Sequence, residues 1–570
     1  MLKSLHMKIS LKDPVPKEVR KELEEYDDFI AHLLYHRGIK TAEEAKVFLE
    51  PDYERDLHDP FLMTGMDVAV DRILKAIKED EKIVVWSDYD TDGIPGGVLM
   101  HDLFQKIGAN FENYIPHRHN EGYGLNIPGI EKLAEEGAKL LITVDSGITD
   151  VEQVKRANEL GLEVIVTDHH LPQEELPPAI TILNPKLEGQ TYPFKDLCGC
   201  GVAFKLAQGI LAKGDFDIPK GWEKWLLDMV GIATVSDMVS LTGENRALAY
   251  FGLVVLRRSP RPGLQQLLKK IRVDQRSITE DDIGFMIGPR INAASRMGEP
   301  MQAFEMLTTK DVALGAQHAA DLERINATRK TAVATITKEI KKKISVRGVE
   351  SPVIVMGNPN WRPSLLGLVA NSVAEEYERP VFLWGREGNN LIKGSCRTGA
   401  DVNLVELMTH STDVFAGFGG HSAAGGFSVH EEAIYTIEEK LSDAFSKLPS
   451  EKIQKNIDAD LELQLDAVDK GLLARLSKLA PFGMDNEKPQ FLFKDVVPQD
   501  VVWFGKGKEH VKAVFQTGFG TLEAIAFFAK RDLGKDAKKL KAGEEISFLG
   551  SVEKDAWKHA PRLRIGSILT

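Results

Sequence analysis

Three unbroken apolar runs punctuate the first third of the chain, and each stops at acidic or imidazole side chains. Ile83-Val84-Val85-Trp86 leads into Ser87-Asp88-Tyr89-Asp90-Thr91-Asp92-Gly93, Leu140-Leu141-Ile142-Thr143-Val144 into Asp145-Ser146-Gly147, and Val164-Ile165-Val166-Thr167 into Asp168-His169-His170. Runs of this kind, without alternation, suit strands covered on both faces, as in a parallel sheet. Helix-length segments separate them, and helical spacing is predicted over 68–77 and 98–107. The pattern therefore predicts an α/β fold whose polar groups gather along the carboxyl edge of one sheet, where open sheets bind ligands. Thr181-Ile182-Leu183 continues the sheet, and a helix is expected over 201–212.

Elsewhere the periodicity is helical over 17–26 and 41–49, with nothing chemical attached. Residues 311–347 read as one long charged helix with Ala, Leu and Ile on one face, a bridge between two lobes. A second α/β unit opens at Val353-Ile354-Val355-Met356. It carries two glycine-rich stretches, Gly394-Ser395-Cys396-Arg397-Thr398 and 417–426, which suit either phosphate-holding loops or simple tight turns. From Ile457 onward, short alternating strands with Phe491, Phe493, Trp503, Phe504, Phe515 and Phe519 suggest a small β-barrel.

A length of 570 residues is too great for one core and suggests about three to four domains. Hydrophobic content of 43% and charged content of 28% are those of a soluble globular protein. No run of about 18 apolar residues and no signal-peptide core follow the start, so a cytoplasmic location is expected, with no membrane association. Cys198, Cys200 and Cys396 form neither a disulfide framework nor a zinc spacing and read as small buried thiols. The net charge of −13 is uneven: Val501 to Thr570 contains thirteen Lys and Arg against eight Asp and Glu, a balance of +5, so the preceding 500 residues carry −18. That asymmetry points to a separate basic module at the end, suited to nucleic acid.

Crowding Asp88, Asp90 and Asp92 into one loop is unfavourable unless cations compensate, and a divalent metal is the natural compensator. The loop around Arg118 is either a solvated turn or a phosphate holder. Asp237, isolated among small and apolar residues, is either a helix cap or a further ligand. Arg290 and Arg296 share a segment of small residues that would let an anion approach the backbone, or would form an ordinary turn.

Taken in order, Asp-Tyr-Asp-Thr-Asp-Gly, Val-Asp-Ser-Gly-Ile-Thr, Thr-Asp-His-His and Thr-Val-Ser-Asp resemble the DHH phosphoesterase superfamily. The Arg118 loop, Pro-Arg-Ile-Asn-Ala-Ala-Ser-Arg-Met-Gly, Gly-Gly-His-Ser-Ala-Ala-Gly-Gly and Pro481-Phe482-Gly483-Met484-Asp485-Asn486 are similar to the RecJ family within it, of which this chain looks like a divergent member. The resemblance runs from about Leu33 to the C-terminus. It implies an N-terminal helical segment at 1–55, a DHH catalytic domain at 56–310, a connecting helix at 311–350, a DHHA1 domain at 351–450 and an OB-type nucleic-acid-binding barrel at 451–570. It also implies Asp90, Asp92, Asp145, His169 and Asp237 as metal ligands, with Asp145 catalytic as well, His170 beside the scissile phosphate, and Asp88 nearby. Arg118, Arg296, Ser395, Arg397 and His421 would lie along the DNA backbone, and Arg290 is a further candidate there.

Departures from the family pattern are Trp86 at a position where many relatives carry a ligating His, Trp361-Arg362 in place of Trp-His, and Ile94-Pro95 after the opening loop. Hard carboxylates with imidazole and no thiolate favour two Mn²⁺ or Mg²⁺ ions. The expected reaction is 5′-to-3′ hydrolysis of single-stranded DNA to 5′-mononucleotides, in repair and recombination, by a monomer. A single-strand-binding protein or a helicase is a candidate recruiter. A small-substrate phosphatase or short-RNA hydrolase would have little use for a basic, aromatic barrel. A non-catalytic replication scaffold would not need the carboxylates.

Overall fold

The computed structural model describes residues 9–348, 351–387, 391–400, 402–448, 457–505, 507–555, 558 and 560–569. The chain divides into two compact units, one of Met1–Asp56, Ser240–Ala247 and Ile453–Thr570, the other of Leu57–Val239 and Leu248–Lys452.

In the larger unit the three apolar runs are strands, Lys82–Ser87, Ala138–Val144 and Glu163–Thr167, joined by Phe111–Tyr114 and Thr181–Leu183 into an all-parallel sheet. Its order is 111–114, 82–87, 138–144, 163–167, 181–183. The chain leaves strand 82–87 for one neighbour and later returns to the other side of it, so the winding direction reverses there. The crevice this opens at the carboxyl ends is the usual ligand site of such sheets, and both acidic loops, 88–92 and 145–147, emerge beside it.

The helix after the first acidic loop begins at once, Gly93–Ile107, rather than near Val98. The Ile94-Pro95 departure is explained by its place in the first turn, where proline lacks an N–H that would find no helical partner anyway. Trp86 is a core side chain. It is fully buried, stacks on Tyr114 with ring centroids 4.1 Å apart, and belongs to the hydrophobic cluster on one face of the sheet with Ile130, Leu133 and Val164.

Residues 288–298 form a helix, Gly288–Met297, and not a loop: Ala and Ser pack it closely enough to touch the first acidic loop, where Asn292 Oδ1 accepts from the Thr91 N–H at 3.2 Å. The long helix, Val312–Arg347, runs for 36 residues and leads to the second lobe. That lobe is a five-stranded mixed sheet in the order 415–420, 424–429, 391–398, 380–387, 354–357. The glycine-rich stretches are strands here, Leu391–Thr398, Phe415–Gly420 and Ala424–Val429, so most of their amides serve the ladder and are not free to cradle phosphate. Trp361 is buried against the long helix and donates Nε1–H to Glu339 at 3.1 Å, while Arg362 is exposed at the start of helix Pro363–Tyr377.

In the smaller unit the N-terminal helices Asp28–Tyr35 and Ala42–Leu49 share one hydrophobic core with a seven-stranded sheet. Strand Ile9–Leu11 pairs in parallel with Ile457–Ala459. Phe491, Phe493 and Phe515, three of the aromatics of the predicted barrel strands, lie inside this core with 0% exposure. Alternation along each strand puts them on the inner face. Phe519, at 88%, remains outside.

Candidate active site

Three loops and one helix end bring the polar groups together. The turn after strand 82–87 folds so that Asp90 Oδ1 accepts from the amides of Asp92 (2.8 Å) and Gly93 (3.2 Å). Asp92 points the other way, and its carboxylate is fixed by the amides of Gly199 (2.6 Å) and Cys200 (2.8 Å) at the start of helix Gly199–Lys213. Cys200 therefore contributes a backbone donor, while the buried Cys198 thiol caps the same helix by accepting from the Gly201 amide at 3.4 Å. Asp145 has φ of +62°, a left-handed conformation rare outside glycine, and Gly147 follows at +105°. Asp237 lies at the C-terminal end of helix Leu227–Ser236. A carboxylate gains nothing from capping that end of a helix, so of the two readings of Asp237 the ligand is favoured.

The ligand atoms fall into three overlapping groups, each within 4.8 Å: Asp88, Asp90 and Asp145; Asp92, His169 and Asp237; and Asp145, His169 and His170. Asp145 and His169 each belong to two of them. His169 Nε2 is 3.2 Å from Asp145 Oδ1, 3.6 Å from Asp92 Oδ2 and 3.7 Å from Asp237 Oδ2. Asp88 joins only the group with Asp90 and Asp145.

The electrostatics are those of a site built for cations. Burial, with Asp90 adding to it, pushes Asp88 well above the carboxylate range and Asp92 up to about 6. Burial and then Asp92 raise Asp145, and the same causes take Asp237 to about 9. Burial, reinforced by His170, lowers His169 to about 3, leaving a neutral imidazole with a lone pair to give. Asp88 Oδ1 and Asp145 Oδ1 are buried with no hydrogen-bond donor. Orphaned oxygens beside a neutral imidazole and no thiolate fit a hard divalent ion that accepts some nitrogen, such as Mn²⁺ or Mg²⁺.

His170 differs from its neighbour. Burial alone would lower it, but its hydrogen bond to Asp168 (Nδ1 to Oδ1, 2.7 Å) and that carboxylate's charge raise it instead. Asp168, absent from the predicted site, is the orienting group: it also accepts from the amides of Ile148, His169 and His170. Tyr123 Oη lies 3.2 Å from both His170 Nδ1 and the Asp145 carbonyl. Asp168 stands inside the Thr-Asp-His-His motif and Tyr123 carried no distinguishing signal, because side-chain direction at a strand end is a tertiary matter.

Above this centre Arg118 stacks on Tyr89, its Cζ 4.8 Å from the ring centroid. Arg296 donates to the Ser364 carbonyl (2.7 Å) and Ser364 Oγ–H to the Arg296 carbonyl (2.9 Å), a reciprocal tie between helix 288–297 and the second lobe. Burial, then repulsion from Arg118 and Arg329, lowers Arg296 to about 10, with Asp90 opposing the shift and Arg397 adding to it, so these guanidiniums converge beside the acidic loop. Gly367 leaves room for Arg397 and Ser395: an added Cβ would sit 3.0 Å from Arg397 Nη2 and 3.7 Å from Ser395 Oγ. Arg290 is placed elsewhere. It is 5% exposed, paired with Glu323 at 2.8 Å and bonded to the Met286 carbonyl, a packing position that leaves little for DNA. His421 is exposed on the hairpin after strand 415–420, and no side-chain contact ties it to the arginines.

Close packing makes one glycine decisive. A Cβ at Gly199 would meet Asp145 Cβ at 2.5 Å and Oδ1 at 2.6 Å. Gly199→Ala should therefore push Asp145 out of register and lower metal-dependent turnover by roughly 100-fold, as misplacement by about 1 Å typically does. Turnover measured across a Mn²⁺ titration checks this, and wild-type rates at all concentrations would show that Asp145 tolerates displacement.

Comparison with known proteins places this geometry. The chain matches the DHH family N-terminal domain over residues 82–234, the DHHA1 domain over 350–447 and the RecJ OB domain over 459–566. It is 36% identical over 540 residues to the single-stranded-DNA-specific exonuclease RecJ of Bacillus subtilis, taking in 94% of this chain and 67% of that protein. It is 32% identical over 495 residues to the Haemophilus influenzae RecJ, covering 83% and 85%. The structure of Thermus thermophilus RecJ in complex with Mn²⁺ superposes with a TM-score of 0.81 and 26% identity, over 99% of this chain and 79% of that one.

Proposed function

Because the chain belongs to the RecJ family of single-stranded-DNA-specific exonucleases, we propose that it degrades single-stranded DNA from the 5′ end, releasing 5′-mononucleotides. The observation that carries this reading is the overlap of three ligand groups through Asp145 and His169, with buried, donorless carboxylate oxygens, beneath a convergence of arginines.

Asp88, Asp90 and Asp145 would hold one divalent ion, and Asp92, His169, Asp237 and Asp145 a second. Bound there, Mn²⁺ or Mg²⁺ lowers the pKa of water and neutralises charge building on the phosphoryl oxygens. The protein's own part is positional. Arg118, Arg296, Ser395 and Arg397 hold the terminal 5′-phosphate by charge-assisted hydrogen bonds, which sets the next phosphodiester over the carboxylates. Water oxygen bonds to that phosphorus and the bond to the 3′-oxygen of the terminal nucleotide breaks. His170, kept protonatable by Asp168 and 46% exposed on its side chain, donates its Nε2 proton to the departing 3′-oxygen. The shortened strand again ends in a 5′-phosphate, the group the arginines recognise.

No helix among the described residues is long and apolar enough to cross a membrane. A cytoplasmic location goes with reduced, buried cysteines. A monomer recruited by a single-strand-binding protein or helicase accords with a substrate made when duplex is unwound. The domain limits at residues 55, 310, 350 and 450 belong to the same proposal, with the N-terminal helices serving as part of the C-terminal unit's core.

Polarity provides the test. Arg397→Ala should slow cleavage about tenfold on 5′-phosphorylated strands and much less on 5′-hydroxyl strands, since only the former loses a charged contact. Digestion of 5′- and 3′-labelled strands reads this out. Degradation starting from the 3′ end, or a variant with the wild-type preference for 5′-phosphate, would defeat end recognition while leaving the metal assignment standing.

A further inference from the structure

Two polar side chains on the long helix are stranded. Asn326 is 0% exposed and neither its Oδ1 nor its Nδ2 has a partner, and one turn later Arg329 has a buried Nε with no acceptor. Residues three apart on a helix share a face, with Cβ atoms about 5–6 Å apart. Glu323, three residues before Asn326, extends the same stripe and is spent on Arg290. The stripe packs on helix 288–297, which carries Arg296.

Leaving a guanidinium nitrogen and both ends of an amide unbonded in the interior is costly, because each has given up water for nothing. Arg329 also lies within reach of Arg296 and Arg290, whose repulsion adds to the cost. Glu323 is already paired with Arg290, so no carboxylate seen here offsets Arg329. The missing component is an anion.

We propose that Arg329 binds an internal backbone phosphate of the single strand, beyond the terminal one, and that Asn326 is the residue that positions it. A bond from Arg329 Nε–H to Asn326 Oδ1, one helical turn back on the same face, would satisfy two of the orphaned atoms and lock the guanidinium with its Nη donors toward the strand. This assignment rests on the exonuclease reading and extends it: a second grip one step along the backbone, carried by the helix that joins the lobes, would hold the strand between cleavage events.

The test is equilibrium binding of a 5′-hydroxyl oligothymidylate in chelator, where no cleavage occurs, across a range of salt. Arg329→Ala should weaken binding about tenfold and reduce the slope of log K against log salt by about 0.7, the value for one phosphate of a single strand. Arg329→Lys should restore the slope but not the full affinity, because a lysine carries the charge without the fork. Asn326→Ala should weaken binding less, and in combination with Arg329→Ala should add nothing, since it acts through the arginine. A folded Arg329→Ala variant with wild-type affinity and slope overturns the assignment, as does a loss that appears only on 5′-phosphorylated strands. A wild-type chain that neither binds nor degrades single-stranded DNA overturns this inference and the exonuclease reading together. Wild-type degradation with an indifferent Arg329 overturns only the inference.

Discussion

Asp145→Ala should lower Mn²⁺-dependent hydrolysis of single-stranded DNA by a factor on the order of 10³ or more while the chain stays folded. Asp145 is the one carboxylate common to the group with Asp88 and Asp90 and to the group with His169 and His170, so its removal damages both halves of the centre. Folding should survive because the deleted group is itself a liability: it is 3% exposed, its Oδ1 has no donor, and burial, with Asp92 adding to it, pushes it well above the usual carboxylate range. Asp237→Ala should behave likewise, with the loss falling more on metal affinity, since Asp237 joins only the group with Asp92 and His169. Thermal unfolding alongside digestion of a labelled strand separates the two effects. A folded Asp145→Ala chain working at the wild-type rate would refute the metal assignment.

Stability without metal should fall as pH rises, and Mn²⁺ should reverse the trend. Asp92 is pushed up to about 6 and Asp237 to about 9, in each case first by burial, and Asp88 and Asp145 move the same way. In the unfolded chain all four ionise near the ordinary carboxylate range. Between that range and about pH 9 the folded state therefore holds more protons than the unfolded state, so unfolding free energy decreases with pH through this window. The penalty is absent below the carboxylate range and, for Asp92 and Asp237, complete above about 9. Divalent ions replace those protons, and at a hundredfold excess over the dissociation constant one ion adds about 2.7 kcal/mol. Melting temperatures from pH 5 to 9, in chelator and in Mn²⁺, should diverge with rising pH. Asp145→Ala should flatten the chelator curve, and parallel curves would mean that these carboxylates do not hold the ions.

The sequence alone determined the parts that depend on local order. Apolar runs without alternation become the central strands of a parallel sheet because both faces are covered, and residues at their carboxyl ends must then share an edge. Asp90, Asp92, Asp145 and His169 were legible for that reason, as was the 36-residue helix from its spacing. Tertiary structure decided what depends on direction and on partners distant in sequence. The glycine-rich stretches read as phosphate-holding loops or tight turns, and are strands because Ser395 pairs with Gly426 and so enters a ladder. Arg290 and Arg296 lie six residues apart on one helix, yet Glu323 claims the first while the second reaches the cleft. Phe491 and Phe515 were aromatic either way, but only the core built with the N-terminal helices turned them inward. The Gly199 amide acts by pointing at Asp92, far away in sequence, within 3 Å. Such pointing is fixed by backbone contacts made between strands and helices far apart in the chain, which no local pattern of residues specifies.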